Sequence, residues 1–178
     1  DKELSRIRNK EIGFIFQQYN LIQDLTVLEN VELPLLYAGV GNAERRERAM
    51  ASLEKVGLSE KWKNMPNQLS GGQQQRVAIG RALITRPKLI LADEPTGNLD
   101  SKSCRAVIDA FLKARDTMQA TVFMVTHDSF AASFCDRVII LKDGQVSGIR
   151  ENRGDRKAFM DELLDTIRVL GGDFDDNE

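Results

Sequence analysis

The sequence predicts an α/β protein in which a parallel sheet carries an inserted helical subdomain. Two apolar runs, KLILADE (88–94) and TVFMVTHD (121–128), end in polar residues and are separated by a helical pattern. Alternating strands and helices with polar residues at the strand ends are typical of parallel sheets, whose ligands bind beyond those ends. Between residues 21 and 86 the periodicity is helical, which indicates the inserted subdomain.

The composition limits the function classes that remain. The 178 residues are 42% hydrophobic and 29% charged, with a net charge of −2. These values are ordinary for a soluble globular protein and give no indication of nucleic-acid binding. The longest apolar runs fall far short of the roughly 20 residues that cross a bilayer, so we expect any membrane role to come through a partner. Cys104 and Cys135 match no metal-ligand spacing and are expected to be reduced.

The first predicted strand is GFIF (13–16), a short apolar run that we expect to be buried and that the polar QQYN closes into a loop. Two helices follow, one ending near residue 39 and one running from about 42 to 57. Their apolar stripes consist of Val27, Leu28, Val31, Leu35, Ala49, Met50, Leu53 and Val56. Such stripes at helical spacing predict one buried face on each helix.

A third helix begins at Ser70 and ends before Pro87, and its predicted buried side consists of Val77, Ile79, Ala82 and Leu83. Ser70 and Gln73 have the S-x-x-Q spacing of a capping box, in which each side chain accepts a hydrogen bond from the backbone N–H of the other. The positive end of the helix dipole lies here, and Gly71 and Gly72 leave the N–H groups open to a phosphate. Simple flexibility at the helix entry is an alternative explanation of the two glycines.

Two adjacent acids end the strand at 88–94. Asp93 and Glu94 allow a division of labour, in which one carboxylate holds Mg²⁺ through water and the other accepts a proton from an attacking water. Alternatively, both acids merely cap the following turn. His127, the only histidine, lies at the tip of the neighbouring predicted strand, although a lone histidine is usually structural.

The sequence patterns after residue 100 also predict a helix, a hairpin and a final helix. The first helix has the buried positions Val107, Ala110, Phe111 and Ala114, and the last has Phe159, Leu163, Ile167 and Leu170. Asp143-Gly144 between two apolar runs is a strong hairpin signal. The acidic tail GGDFDDNE is expected to be disordered.

Five segments together resemble the ATP-binding cassette family, the ATPase subunits of ABC transporters. LSGGQ (69–73) matches the family signature, LILADE (89–94) looks like its Walker B strand, and FIFQQYNLI (14–22) is similar to its Q-loop. Residues 98–100 resemble its D-loop, and residues 126–128 resemble its switch histidine. The resemblance implies a P-loop NTPase-like, RecA-like core.

The resemblance also implies a role for each matching residue. Gln17 would be a ligand of Mg²⁺ and water, and the loop after it would face a transmembrane permease subunit. Asp93 would support Mg²⁺, and Glu94 would be the general base. His127 would contact the γ-phosphate of ATP.

Other implied contacts cross the interface of a homodimer with a second nucleotide-binding subunit. The signature would bind the γ-phosphate of ATP held mainly by the other subunit, through Ser70, Gly71, Gly72 and Gln73. Asp100 would reach across the same interface. Such a complex would lie on the cytoplasmic face of the cell membrane.

The 178 residues contain no G-x-x-x-x-G-K-[ST] loop, whereas a complete cassette carries one upstream of the Q-loop. The resemblance therefore implies that the N-terminal part of the core is missing and that this chain alone is inactive. We expect residues 1–20 to end that core with the Q-loop and 21–86 to form the helical subdomain. Residues 87–151 would complete the α/β core, and 152–178 would form a C-terminal helix and tail.

The function predicted is ATP hydrolysis coupled to export. The block around LSGGQ resembles most the subgroup serving macrolide efflux, lipoprotein release and antimicrobial-peptide resistance, and the C-terminal segments favour peptide resistance. A non-transport ATPase acting on DNA or ribosomes is an alternative, but Gln17 and Ser70 are too close for a coiled-coil insertion and no second LSGGQ occurs. Another is a non-catalytic fragment that docks onto a complete cassette.

Overall fold

The computed structural model describes residue 7 and residues 10–97 and 99–172. The chain forms two compact units, residues 1–125 and residues 126–178. We number the strands β1 to β5 and the α-helices α1 to α6. The strands are Ile12–Ile15, Leu89–Asp93, Thr121–Val125, Arg137–Lys142 and Gln145–Glu151, and the helices are Val27–Tyr37, Asn42–Lys55, Gly71–Leu83, Ser101–Met118, Ser129–Ala132 and Arg156–Gly172. Short 3-10 turns lie at Ser59–Lys61 and Pro66–Gln68.

The first unit is built on a parallel sheet in the order β1-β2-β3. Ile15 of β1 pairs with Ala92 of β2, and Asp93 pairs with Val125 of β3. The carboxyl ends of all three strands therefore lie at one edge of the sheet. This confirms the predicted parallel sheet, and it places the loops after β1 and β2 side by side.

Helices α1, α2 and α3 all pack against one another, and we refer to the segment from α1 to α3 as the helical subdomain. Their predicted apolar stripes are confirmed, with Val27, Val31, Ala49, Leu53, Val77 and Ile79 all fully buried. Each fully buried Val, Leu or Ile contributes roughly 1.5–3 kcal/mol of hydrophobic stabilisation. Helix α3 also contacts β1 and α4. Helix α3, which begins with the signature residues and is called the signature helix below, therefore joins the subdomain to the sheet.

The prediction that β1 is a buried strand is wrong for one of its faces. Ile15 is 1% exposed, but Phe14 and Phe16 are 36% and 41% exposed. On β3 the alternate residues Phe123 and Val125 are likewise 54% and 52% exposed. Successive side chains of a strand point to opposite faces, so the helices cover one face of the sheet and leave these apolar residues on the other.

The second unit consists of α5, the antiparallel hairpin β4-β5 and α6. Asp143 and Gly144 have φ values of 51° and 74°, the conformation that a type I′ turn requires, so the predicted hairpin is confirmed. On α6, Phe159 and Leu163 are buried as predicted, but Ile167 is 48% exposed. Residues 173–178 of the acidic tail lie outside the described residues. Within the described ranges, no helix is long and apolar enough to cross a membrane.

Candidate functional site

The loops after β1 and β2 meet at the side chain of Gln17. A Cβ added at Gly97 would lie 2.7 Å from Nε2 and 3.2 Å from Cδ of Gln17. The amide of Gln17 therefore packs against Gly97, in the loop that follows Asp93 and Glu94. Two of the segments predicted to form the site are thus in direct contact within the first unit.

Glu94 has an unusual backbone conformation at the end of β2. Its φ is 44°, in the left-handed region, which costs a non-glycine residue about 1 kcal/mol or more and is commonest at functional sites. Its N–H donates to the carbonyl of Val125 at 2.9 Å, and its own carbonyl accepts from the N–H of Gly97 at 3.0 Å. The half-buried carboxylate of Glu94 is therefore carried on a backbone fixed on both sides.

The N terminus of α3 has the predicted capping box. The Gln73 N–H donates to Ser70 Oγ at 3.3 Å, and the Ser70 N–H donates to Gln73 Oε1 at 2.9 Å. The N–H groups of Gly71 and Gly72 stand at the first two helical positions, where no intrahelical acceptor exists, and no described residue accepts from them. These unpaired donors fit an anion, and the exposed Ser70 hydroxyl lies beside them.

The two glycines also permit close packing, a role that the sequence analysis did not identify. A Cβ at Gly72 would lie 2.5 Å from the Cβ of Ser103 at the start of α4. One at Gly71 would lie 2.7 Å from the hydroxyl of Tyr19 and 3.4 Å from Leu99. Gly72 is buried by this packing and Gly71 is half-buried, so the N–H of Gly71 is the more accessible to a ligand.

Asp100 is the N-cap of α4. Its Oδ1 accepts from the N–H groups of Lys102 and Ser103, both at 3.0 Å, and its Oδ2 accepts from the Ser103 hydroxyl at 2.6 Å. The hydrogen bond from the Ser103 hydroxyl, followed by that from its N–H, holds the pKa of Asp100 below its usual value. Its carboxylate therefore stabilises its own helix. Asn98, the first D-loop residue, lies outside the described residues.

His127 belongs to the second unit, two residues beyond the end of β3, and its side chain is exposed. Asp128 begins α5 by accepting from the N–H of Phe130 at 2.9 Å. The other predicted site residues, Gln17, Ser70–Gln73, Asp93, Glu94 and Asp100, all lie in the first unit.

Oxygen donors suited to Mg²⁺ are present at the edge of the sheet. Asp93 and Gln17 both have exposed side chains, and Mg²⁺ commonly takes one or two protein oxygens and keeps several waters. Among the described residues, no group of three or more His, Cys, Asp or Glu could hold a metal ion. The Asp93 carboxylate and the Gln17 amide oxygen are donors of the kind that a hydrated Mg²⁺ takes.

Gln75 is a further residue that the sequence analysis missed. It is fully buried, and it shares the buried face of α3 with Ala78, Ile79 and Ala82 at helical spacing. The sequence does indicate this role, because a glutamine inside an apolar stripe is a buried polar group that needs a hydrogen-bond partner.

Comparison with known proteins identifies the family. A family model described as ABC transporter matches residues 1–97. The chain belongs to the ABC transporter family. This ABC transporter chain is 51% identical over 146 residues to the ATP-binding protein YknY of Bacillus subtilis, with 82% of this chain and 63% of YknY covered. It is 42% identical over 173 residues to the bacitracin export ATP-binding protein BceA of Halalkalibacterium halodurans, with 97% and 68% covered.

Other matches extend the ABC transporter assignment. The macrolide export protein MacB of Aggregatibacter actinomycetemcomitans is 50% identical over 151 residues, covering 85% of this chain and 23% of MacB. The dimeric post-hydrolysis structure of the cassette MJ0796, from Methanocaldococcus jannaschii and bound to ADP and Pi, matches with a TM-score of 0.76 and 50% identity, covering 87% of this chain and 68% of that one. The predicted P-loop NTPase-like fold is therefore confirmed, and the chain spans about two thirds of YknY, BceA and MJ0796.

Proposed function

We propose that the whole protein is the ATP-hydrolysing subunit of an ABC exporter, acting as a homodimer on the cytoplasmic face of a membrane with a separate permease. The contact between Gln17 and the loop that carries Glu94 is the observation that supports this most directly. It brings the side chain of a candidate Mg²⁺ ligand into contact with Gly97, in the loop that begins at a candidate general base. A cassette with 50% identity forms a dimer with ADP and Pi, which supports both the nucleotide and the homodimer.

Glu94 is the general base in this proposal. The oxygen of a water forms a bond to the γ-phosphorus of ATP while the bond from that phosphorus to the bridging oxygen breaks, and Glu94 accepts the proton of the water. The products are ADP and phosphate. The hydrogen bonds on both sides of Glu94 fix its backbone, and such positioning supplies much of the catalysis in phosphoryl transfer.

Gln17 and Asp93 would hold Mg²⁺ through an amide oxygen and a carboxylate. When bound, the ion would neutralise charge that develops on the phosphate oxygens. His127 would contact the γ-phosphate as a hydrogen-bond donor. The exposed side chains of these three residues are accessible to ligands.

The N terminus of α3 would face ATP held mainly by the second copy of the subunit. Its donors are the Ser70 hydroxyl and the unpaired N–H groups of Gly71 and Gly72, and Gln73 completes the capping box. The positive end of the helix dipole stabilises negative charge at this position. Asp100, exposed at the start of α4, would contact the partner at the same interface.

The exported substrate in this proposal is an antimicrobial peptide. Similarity to the bacitracin export protein BceA extends over 97% of the chain and so includes the C-terminal helix, whereas similarity to MacB covers 85%. The whole subunit, reconstituted with its permease, should hydrolyse ATP faster when bacitracin is added and not when a macrolide is added. Stimulation by the macrolide alone would contradict this assignment.

Glu94→Gln in the whole subunit tests the catalytic role. Removal of a general base should lower the rate of ATP hydrolysis by about 100-fold or more and spare ATP binding, so ATP-bound dimers should accumulate in size-exclusion chromatography. Glu60→Gln is the matched control, because Glu60 is exposed on a short turn of the helical subdomain. Unchanged hydrolysis by Glu94→Gln, or only monomers with ATP, would argue against the role.

A further inference from the structure

The side-chain amide of Gln75 contacts both loops of the proposed site. Its Nε2 donates to the carbonyl of Pro95 at 2.8 Å and to the carbonyl of Phe16 at 3.3 Å. Pro95 directly follows Glu94, and Phe16 directly precedes Gln17. One buried amide on the signature helix therefore binds the backbone next to the candidate base and next to the candidate Mg²⁺ ligand.

The two carbonyls that Gln75 contacts need a hydrogen-bond donor with two hydrogens, on a side chain as long as that of glutamine. Both partners of Gln75 are carbonyls, and an amide NH₂ supplies two hydrogens without a charge. Its Oε1 is buried and has no hydrogen-bond partner among the described residues. An unpaired buried oxygen is unfavourable, so Leu or Met of similar size would serve better if the position only filled space. The presence of glutamine indicates that the donor group matters.

Arg81 holds the opposite end of the Q-loop. Its Nη1 donates to the carbonyl of Asn20 at 2.6 Å and its Nη2 donates to that of Tyr19 at 3.0 Å. Tyr19 and Asn20 have φ values of 59° and 49°, so these bonds stabilise a turn with two residues in the left-handed region. The loop around Gln17 is therefore attached to α3 on both sides.

We propose that Gln75 is a positioning residue for ATP hydrolysis, which sets the place of Gln17 relative to Glu94. The inference rests on the proposed function. Gln75 acts through the carbonyls of Phe16 and Pro95 and makes no contact with the reacting atoms. Because Gln75 lies on α3 and binds both loops, a displacement of α3 would move both loops together.

Loss of the donor should lower the maximal rate more than it changes nucleotide affinity. Residues that orient metal ligands typically change metal affinity or activity by 10–100-fold when replaced. We expect Gln75→Met in the whole subunit to lower kcat by about tenfold and to raise the Mg²⁺ concentration for half-maximal rate, with KM for ATP nearly unchanged. Gln75→Met preserves the length of the side chain and removes only its polar atoms.

Gln74→Met is the matched control. Gln74 is the neighbouring glutamine on the same helix, but its Nε2 donates to the carbonyl of Leu69 at 3.2 Å, and Leu69 belongs to neither loop. The Gln74→Met variant should have the same kcat and the same Mg²⁺ dependence as the wild type. Gln75→Asn, smaller and still polar, should lose activity as Gln75→Met does, and it provides the measurement if the Met variant does not fold.

A double-mutant cycle with Gln17→Ala separates positioning from a general structural effect. If Gln75 acts through Gln17, the double variant Gln17→Ala/Gln75→Met should have nearly the kcat of Gln17→Ala alone. Independent losses that multiply would overturn the inference, and so would a Gln75→Met variant whose kcat and Mg²⁺ dependence match those of Gln74→Met. Absence of ATP hydrolysis by the wild-type subunit, or full hydrolysis by Glu94→Gln, would instead refute the proposed function.

Discussion

Gly72 and Ser103 lie so close together that a Cβ added at Gly72 would be 2.5 Å from the Cβ and 2.7 Å from the Oγ of Ser103. The contact joins the first turn of α3 to the first turn of α4. Ser103 Oγ also donates to Asp100. The N-terminal ends of α3 and α4 are therefore in direct contact, and Ser103 links Gly72 of the signature to Asp100.

Gly72→Ala should destabilise the protein. Overpacking of a tight contact typically costs about 1–3 kcal/mol, and this exceeds the roughly 0.5–1 kcal/mol that alanine gains over glycine in a helix. We expect a lower free energy of unfolding in denaturant titrations. The displaced α3 should also reduce ATP hydrolysis by the whole subunit.

Gly71→Ala is the comparison for stability. Its added Cβ would meet the hydroxyl of Tyr19 at 2.7 Å, which is the far end of a flexible side chain and can move. Its effect on the free energy of unfolding should be much smaller. Ser103→Gly should recover part of the stability lost in Gly72→Ala, since it removes the atoms that clash. Equal effects of the two alanine variants would show that the contact is not tight.

The pKa of Asp100 should lie below the usual aspartate value, because hydrogen bonds from Ser103 and Lys102 favour its charged form. A pKa that folding lowers contributes stability above the unfolded pKa, and this contribution is lost as the pH falls through the folded pKa. An NMR titration of the carboxylate should show the low value. Ser103→Ala should raise it, since the strongest of these hydrogen bonds is removed.

Asp100→Asn provides the control for the charge. Asparagine caps helices about as well as aspartate but does not titrate, so the difference in Tm between wild type and variant should change as the pH falls through the pKa of Asp100. A difference that stays constant from neutral to acidic pH would mean that the ionisation of Asp100 does not contribute.

Local features of the fold could be predicted from sequence. The Ser70–Gln73 capping box and the Asp143-Gly144 turn depend on residues three or fewer positions apart, and the structure has both. The buried stripes of α1 to α3 follow from a periodicity that a single helix displays. The parallel sheet followed from the alternation of apolar runs with helices.

Contacts between distant segments could not be predicted in this way. The bond from Gln75 to Phe16 spans 59 positions and that to Pro95 spans 20, and no local pattern encodes such pairs. The left-handed backbone of Glu94 depends on the hydrogen bond to Val125 of the neighbouring strand. The exposure of Phe14 and Phe123 depends on which layers cover the sheet, and apolar runs do not show this.

The 178-residue chain by itself should not bind Mg-ATP measurably. In the proposed dimer, the Ser70 hydroxyl and the N–H groups of Gly71 and Gly72 face a nucleotide held mainly by the other copy. The chain contains no G-x-x-x-x-G-K-[ST] loop, whose N–H groups and lysine surround the phosphates in P-loop proteins. Isothermal titration calorimetry of this chain should give no binding heat at ATP concentrations that saturate the whole subunit. Micromolar binding by the chain alone would contradict this prediction, because it would mean that the chain forms a nucleotide site without that loop.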